Sequence, residues 1–213
     1  MQTKYFTIAG GNKTALIWDC PVGDKHIHIR KILPTVEQIG FVTGETNSHL
    51  SMMGEELCIN ALLALAAHLE TTEGTISTPT HQEIFFKNFE DKTQIAITLT
   101  HSRVENIILF DGIGFICTQE NNLILSDSLT TYAQRYALPA FGILAYDTDT
   151  RIAPKIHVVN TGSTLDETAC GSGSVAMHLI TGHNHIIQPT GEIISVHREG
   201  DTFYIEATVS TLS

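Results

Sequence analysis

The stretch Asp166-Glu167-Thr168-Ala169-Cys170-Gly171-Ser172-Gly173-Ser174 decides how the rest of the chain is read. A cysteine is followed by small residues. These lead into an apolar run, Val175-Ala176-Met177 with Leu179 and Ile180, which predicts a short buried helix over 171–181. The free N–H groups of a helix's first turn form an anion site. The same field favours thiolate over thiol at Cys170. A carboxylate seated on the amides of Gly171, Ser172 and Gly173 would place its α-carbon beside the sulfur. The competing reading of these residues is a buried structural cysteine next to a helix cap.

Upstream, Met52-Met53-Gly54-Glu55-Glu56-Leu57-Cys58-Ile59-Asn60-Ala61 opens a second apolar stretch. Leu57, Ile59, Leu62, Leu63, Leu65, Ala66 and Leu69 cover nearly every face, so a buried helix is expected over 54–70. Cys58 falls about one turn inside it, where a cysteine is ordinarily core. Asn60 and His68 read as satisfied polar residues of the same helix. Nearer the N-terminus, Gly10-Gly11-Asn12-Lys13-Thr14 separates two strand-like runs. It reads as a hairpin turn, or as a turn that aims the Asn12 amide at a ligand. A third helix, 127–137, has Ser126 as its cap and a surface character.

Most of the remaining chain alternates short runs rich in Ile, Val, Phe and Thr with Gly, Asn, Asp and Pro. Strands are expected at 5–9, 13–18, 26–33, 38–43, 48–52, 83–89, 93–100, 106–110, 114–118, 141–147, 155–160, 192–197 and 202–208. The chain therefore divides into two halves, each with many strands around one apolar helix that carries a cysteine near its start. The expected domains are 1–104, carrying Cys58, and 105–213, carrying Cys170, with the last strand free to return to the first.

A formal net charge of −11 argues against nucleic acid and anionic membrane surfaces as partners. No apolar run is long enough to span a bilayer, and the first residues lack a signal core, so a cytoplasmic location is expected. The four cysteines form no CxxC pair or disulfide framework. Cys20 and Cys117 read as structural. His26 with His28, or His183 with His185, share a face if extended, but no third or fourth ligand accompanies them, so no metal is expected.

Together, Asn12, Gln38-Ile39-Gly40-Phe41, the run from His49 to Ala61, Ala169-Cys170-Gly171-Ser172-Gly173 and Gln188-Pro189-Thr190-Gly191 resemble the diaminopimelate epimerase superfamily of cofactor-independent racemases. Within it, they are most similar to the histidine-racemase branch of staphylopine-type metallophore synthesis. The resemblance spans nearly the whole chain. It implies an α+β fold of two pseudo-symmetric domains, each a strongly curved, mostly antiparallel sheet wrapped around a central apolar helix. It implies Cys58 and Cys170 as a catalytic acid/base pair acting on opposite faces of an amino-acid α-carbon, with no cofactor. Asn12, Gly54, Glu55, Glu167, Gly171, Ser172 and Gly173 are the implied substrate-binding residues, and a homodimer is an open alternative for assembly. Two departures bear on the substrate. The Glu-Arg pair of the diaminopimelate enzymes is missing around Asn160-Thr161-Gly162, and Glu55 stands where the family usually has asparagine. Such a carboxylate would repel a substrate carboxylate and attract an amine or imidazolium, and histidine is the first substrate expected by resemblance. Two alternatives stand beside this reading: a phenazine-biosynthesis-type isomerase using Glu55 or Glu56, and a non-catalytic amino-acid binder of the same fold.

Overall fold

The computed structural model describes residues 1–44, 46, 48–81, 83–119 and 126–212, without the side chains of 126 and 127. Three sheets enclose two buried helices. The first sheet is built from β1 (Gln2–Ile8), β2 (Lys13–Trp18), β3 (Gln38–Thr43) and β4 (His49–Met52), with β17 (Val209–Leu212) added along β1. In it β2 and β3 are parallel and are joined by helix α1 (Lys25–Ile32). The second sheet repeats this plan. Its strands run β8 (His101–Val104), β9 (Ile107–Phe110), β10 (Ile113–Thr118), β11 (Ala140–Tyr146), β12 (Ile152–Val158) and β13 (Ser163–Asp166). Here β10 and β11 are the parallel pair, and helix α3 (Ser126–Tyr136) makes the crossover. A parallel pair needs such a crossover because a tight turn can only reverse the chain.

The third sheet joins the two halves. From the first half come β5 (Glu73–Ile76), β6 (Ile84–Asn88) and β7 (Thr93–Thr98), and from the second β14 (His185–Ile187), β15 (Ile193–Glu199) and β16 (Thr202–Ala207). All neighbours are antiparallel, and β7 pairs with β16 through six residues, from Thr98 opposite Thr202 to Thr93 opposite Ala207. Helix α2 (Ile59–His68) lies between the first sheet and the β6–β7 part of the third. Helix α4 (Gly171–Thr181) lies between the second sheet and the β14–β16 part. The α+β architecture with one enclosed apolar helix in each half is the one expected from the sequence.

Two local expectations need correction. Residues 26–33 were expected as a strand, but Lys25–Ile32 is α1. The alternation His26-Ile27-His28-Ile29 mimics a strand period, yet Ile29, Ile32 and Leu33 share a helical face and pack on Ile17, Phe41 and Met53. His26 and His28 therefore do not share a strand face. Among the described residues no group of three His, Cys, Asp or Glu is arranged to hold a metal ion. Cys58 was expected one turn inside α2, but it is the residue that caps the helix. Glu55 adopts a left-handed backbone, φ 67°, which stops helical winding before Cys58. The Ser126 cap expected for α3 involves a side chain outside the described residues. No helix among those described is long and apolar enough to cross a membrane.

Candidate active site

Cys58 and Cys170 have the same local geometry. Each is the N-cap residue of its helix, in extended backbone (φ −126° and −140°), and each sulfur accepts the N–H three residues on. The Ala61 N–H reaches the Cys58 Sγ at 3.4 Å, and the Gly173 N–H reaches the Cys170 Sγ at 3.2 Å. Thus each sulfur sits where the positive end of a helix points. The two helix starts meet: a Cβ on Gly171 would lie 2.5 Å from Ile59 Cγ2. Glycine here lets the two helices approach closely. Gly171→Ala is expected to force them apart, costing about 1–3 kcal/mol in urea unfolding and lowering turnover at least tenfold.

Both cysteines line one cavity of about 20 Å³, room for about one water. Between the sulfurs runs a polar chain. The Cys58 thiol donates to Gln38 Oε1 at 2.9 Å, and Gln38 Nε2 donates to Glu167 Oε1 at 2.5 Å. The Glu167 carboxyl in turn lies against the Cys170 sulfur. Burial raises both thiols well above their ordinary range. Glu56 and Glu167 push Cys58 further up, and Glu167 does the same to Cys170. The backbone N–H donors of the helix starts act the other way.

The halves are latched around this cavity. Asn60 Nδ2 and Asn12 Nδ2 both donate to the Ala169 carbonyl, at 2.9 and 3.0 Å. Asn60 Oδ1 accepts the Gly171 N–H at 2.9 Å. Glu37 accepts from the Thr168 N–H, the Thr168 hydroxyl and Asn12. Behind the turn, Gln188 Oε1 accepts the Cys170 N–H at 2.8 Å.

Of the residues expected from sequence, Cys58, Glu167, Cys170, Gly171 and Ser172 line the thiol cavity. Asn12 is fully buried behind it, with its amide committed to Ala169 and Glu37. Gly54 donates its N–H to Glu56 Oε2 at 2.8 Å. Gly173 faces Cys170 through its N–H. Glu55 is exposed, on the wall of an adjoining open cleft of about 860 Å³. Gln38, Asn60 and Gln188 were not singled out as site residues by sequence, and Glu56 only as a possible carboxylate of the alternative isomerase. Their signal was membership of the stretches carrying the resemblance: Gln38 and Gln188 open two of them, and Glu56 and Asn60 lie in the run from His49 to Ala61.

Two buried carboxyls are shifted strongly. Burial raises Glu167 to about 8 and Glu56 to about 7, from an ordinary 4.5. Their folded forms therefore hold protons that the unfolded chain has lost, so the stability these two groups contribute is fullest below about pH 4.5 and is lost as pH rises through 7 and 8. Urea unfolding from pH 5 to 8 should show this fall, at most about 1.4 kcal/mol per pH unit per group. Glu167→Gln should remove its share of the fall and leave that of Glu56.

This geometry can be set beside known proteins. No family model matches the chain. Two histidine racemases from strains of Fusobacterium nucleatum subsp. nucleatum are 27% and 24% identical to it. The alignments cover 95% of this chain and 91% and 92% of theirs. Among solved structures, a hydroxyproline epimerase from Agrobacterium vitis superposes with a TM-score of 0.64 at 10% identity, covering all of this chain and 89% of that one. A phenazine biosynthesis PhzC/PhzF protein from Clostridium difficile superposes with a TM-score of 0.61 at 10% identity, covering all of this chain and 98% of that one. The chain has the fold of amino-acid racemases and epimerases, and its sequence is similar to histidine racemases over most of its length. It is an isomerase of that class. Within the superfamily fold, the two helix-capping sulfurs are brought to one cavity by residues about half the chain apart.

Proposed function

We propose that the chain inverts the α-carbon of a free amino acid, with Cys58 and Cys170 as the acid/base pair and histidine as the first substrate. The carrying observation is that both sulfurs cap helix starts that meet at a single cavity. The halves part to admit substrate, because the cavity as it stands has no room for an amino acid. The substrate carboxylate then docks at the start of α4. It either takes the remaining first-turn amide of Ser172 or displaces Asn60 from the Gly171 N–H. One sulfur, as thiolate, takes the α-proton, and the other, as thiol, delivers a proton to the opposite face. The product leaves the two sulfurs with exchanged protonation, ready for the reverse direction. Substrate carboxylate and ammonium, bound against helix ends and buried carboxyls, stabilise the carbanion once water is excluded. The thiols titrate as a pair, since charge on Cys58 raises Cys170.

The name shared by the two sequence relatives supports histidine. The test is incubation with each L-amino acid in deuterated water, read by chiral chromatography and Cα deuteration. L-Histidine is expected to give D-histidine carrying deuterium. Absence of exchange with every amino acid would overturn the reading and favour the non-catalytic binder. A second reading, a carboxylate-based isomerase of the phenazine-biosynthesis type, is favoured by the buried Glu56 and by the neighbouring PhzC/PhzF fold. It requires activity that survives loss of Cys170.

A further inference from the structure

Among the described residues, the thiol cavity is lined by three carboxylates, Glu37, Glu56 and Glu167, and by no lysine, arginine or histidine. Glu37 is committed to Thr168 and Asn12. The other two have no cationic partner among the described residues. Glu167 Oε2 is buried with no hydrogen-bond partner among the described residues. Glu56 is 8% exposed, and Oε2 rests on the Gly54 N–H. No described cation pairs with it, and its charged neighbour, Glu55, is of the same sign. A buried carboxylate without a counter-charge is costly unless a ligand brings the charge.

The two acids also differ in position. Glu167 lies beside Cys170, at the wall of the cavity where the α-carbon would sit. Glu56 lines both that cavity and the large cleft next to it. A side chain leaving the α-carbon toward the open cleft therefore passes Glu56. The one basic residue of the cleft wall among the described residues, Lys25, is already engaged: its Nζ donates to Ser51 Oγ at 3.1 Å and lies 4.6 Å from the centre of the Phe41 ring.

We propose that Glu56 is the residue that reads the substrate side chain, selecting amino acids that present a cation or an N–H donor there, while Glu167 receives the α-ammonium. The inference rests on the stereoinversion reading only for placing the α-carbon between the sulfurs. It narrows the substrate to imidazole-bearing and short diamino acids, and it excludes apolar side chains. It also moves the specificity role from Glu55, which is exposed at the cleft wall, to its neighbour.

The test compares wild type with Glu56→Gln, which keeps the size and an oxygen for the Gly54 N–H. Glu56→Asp is the second variant should the first fail to fold. L-Histidine, L-2,4-diaminobutyrate, L-glutamine and L-leucine are each followed by Cα deuterium exchange and by calorimetric binding. Wild type is expected to prefer histidine and diaminobutyrate over leucine at least tenfold. In Glu56→Gln that preference should fall at least tenfold through KM, with kcat for histidine changed much less. A preference unchanged in the variant, equal binding of leucine and histidine by wild type, or no binding of the cationic amino acids overturns the proposal. Preferential binding of cationic amino acids without any exchange leaves Glu56 as the selector and sinks the racemase reading instead.

Discussion

Replacing Cys170 by serine is expected to lower racemisation by about two to four orders of magnitude, and replacing Cys58 to do the same. The loss is chemical and not structural, because serine is itself a favoured N-cap residue and can accept the Ala61 or Gly173 N–H that the sulfur now accepts. A serine hydroxyl, however, cannot serve as the base that a thiolate provides. The two variants should also be mirror images. With one thiol left, a proton can leave and return on the same face, so each variant keeps slow Cα exchange without inversion, and on opposite enantiomers. Deuterium exchange followed separately from L- and D-histidine reads this directly. Cys20→Ser, in the separate cluster around Ile17 and Phe41, should leave the rate unchanged. Full activity in Cys170→Ser would transfer the chemistry to a carboxylate, with Glu56 the residue to replace next.

How much of this was legible in the sequence differs from residue to residue. The Ala169-Cys170-Gly171-Ser172-Gly173 turn announced itself, because small residues ahead of an apolar run have few structural uses besides a crowded helix start. The structure supplies the reason for Gly171: Ile59 leaves no space for a Cβ. Cys58 was harder to place. Glu55, Glu56 and Leu57 are good helix formers, so propensity extends the helix backward through them. The left-handed backbone at Glu55 is set by tertiary packing, where Gly112 presses against Leu57 and Gly54 against Glu56. Gln38 and Asn60 gave no local signal of a role in the site. Each looks like an ordinary polar residue in a strand or a helix, and its role exists only through contacts 20 to 129 residues away, such as Gln38 with Cys58 and Glu167 or Asn60 with Ala169 and Gly171. The pairing of β7 with β16, which unites the halves in one sheet, is hidden for the same reason: each strand alternates correctly whichever partner it meets.

The helix that carries Cys58 was readable because it lacks a wet side, and this makes a prediction about stability. On a surface helix, residues 63 and 65 would lie on nearly opposite faces, and truncating one of them would cost little. In α2 both Leu63 and Leu65 are fully buried, because the first and third sheets enclose the helix from either side. Leu63→Ala and Leu65→Ala are therefore each expected to cost about 2–5 kcal/mol in urea unfolding, through lost transfer energy and the cavity left behind. Ile27→Ala on α1, where the side chain is 51% exposed, should change stability by no more than about 0.5 kcal/mol. A large cost at only one of the two leucines would mean that one face of α2 is open to solvent. The helix start would then lack its rigid seat between the sheets. In the proposed mechanism, holding a thiol at a fixed distance from an α-carbon depends on that seat, because a misplacement of about 1 Å can cost a hundredfold in rate. Enclosure of the helix and reactivity of its cap are thus one structural requirement, and the two leucine variants should also lose turnover before they lose the fold.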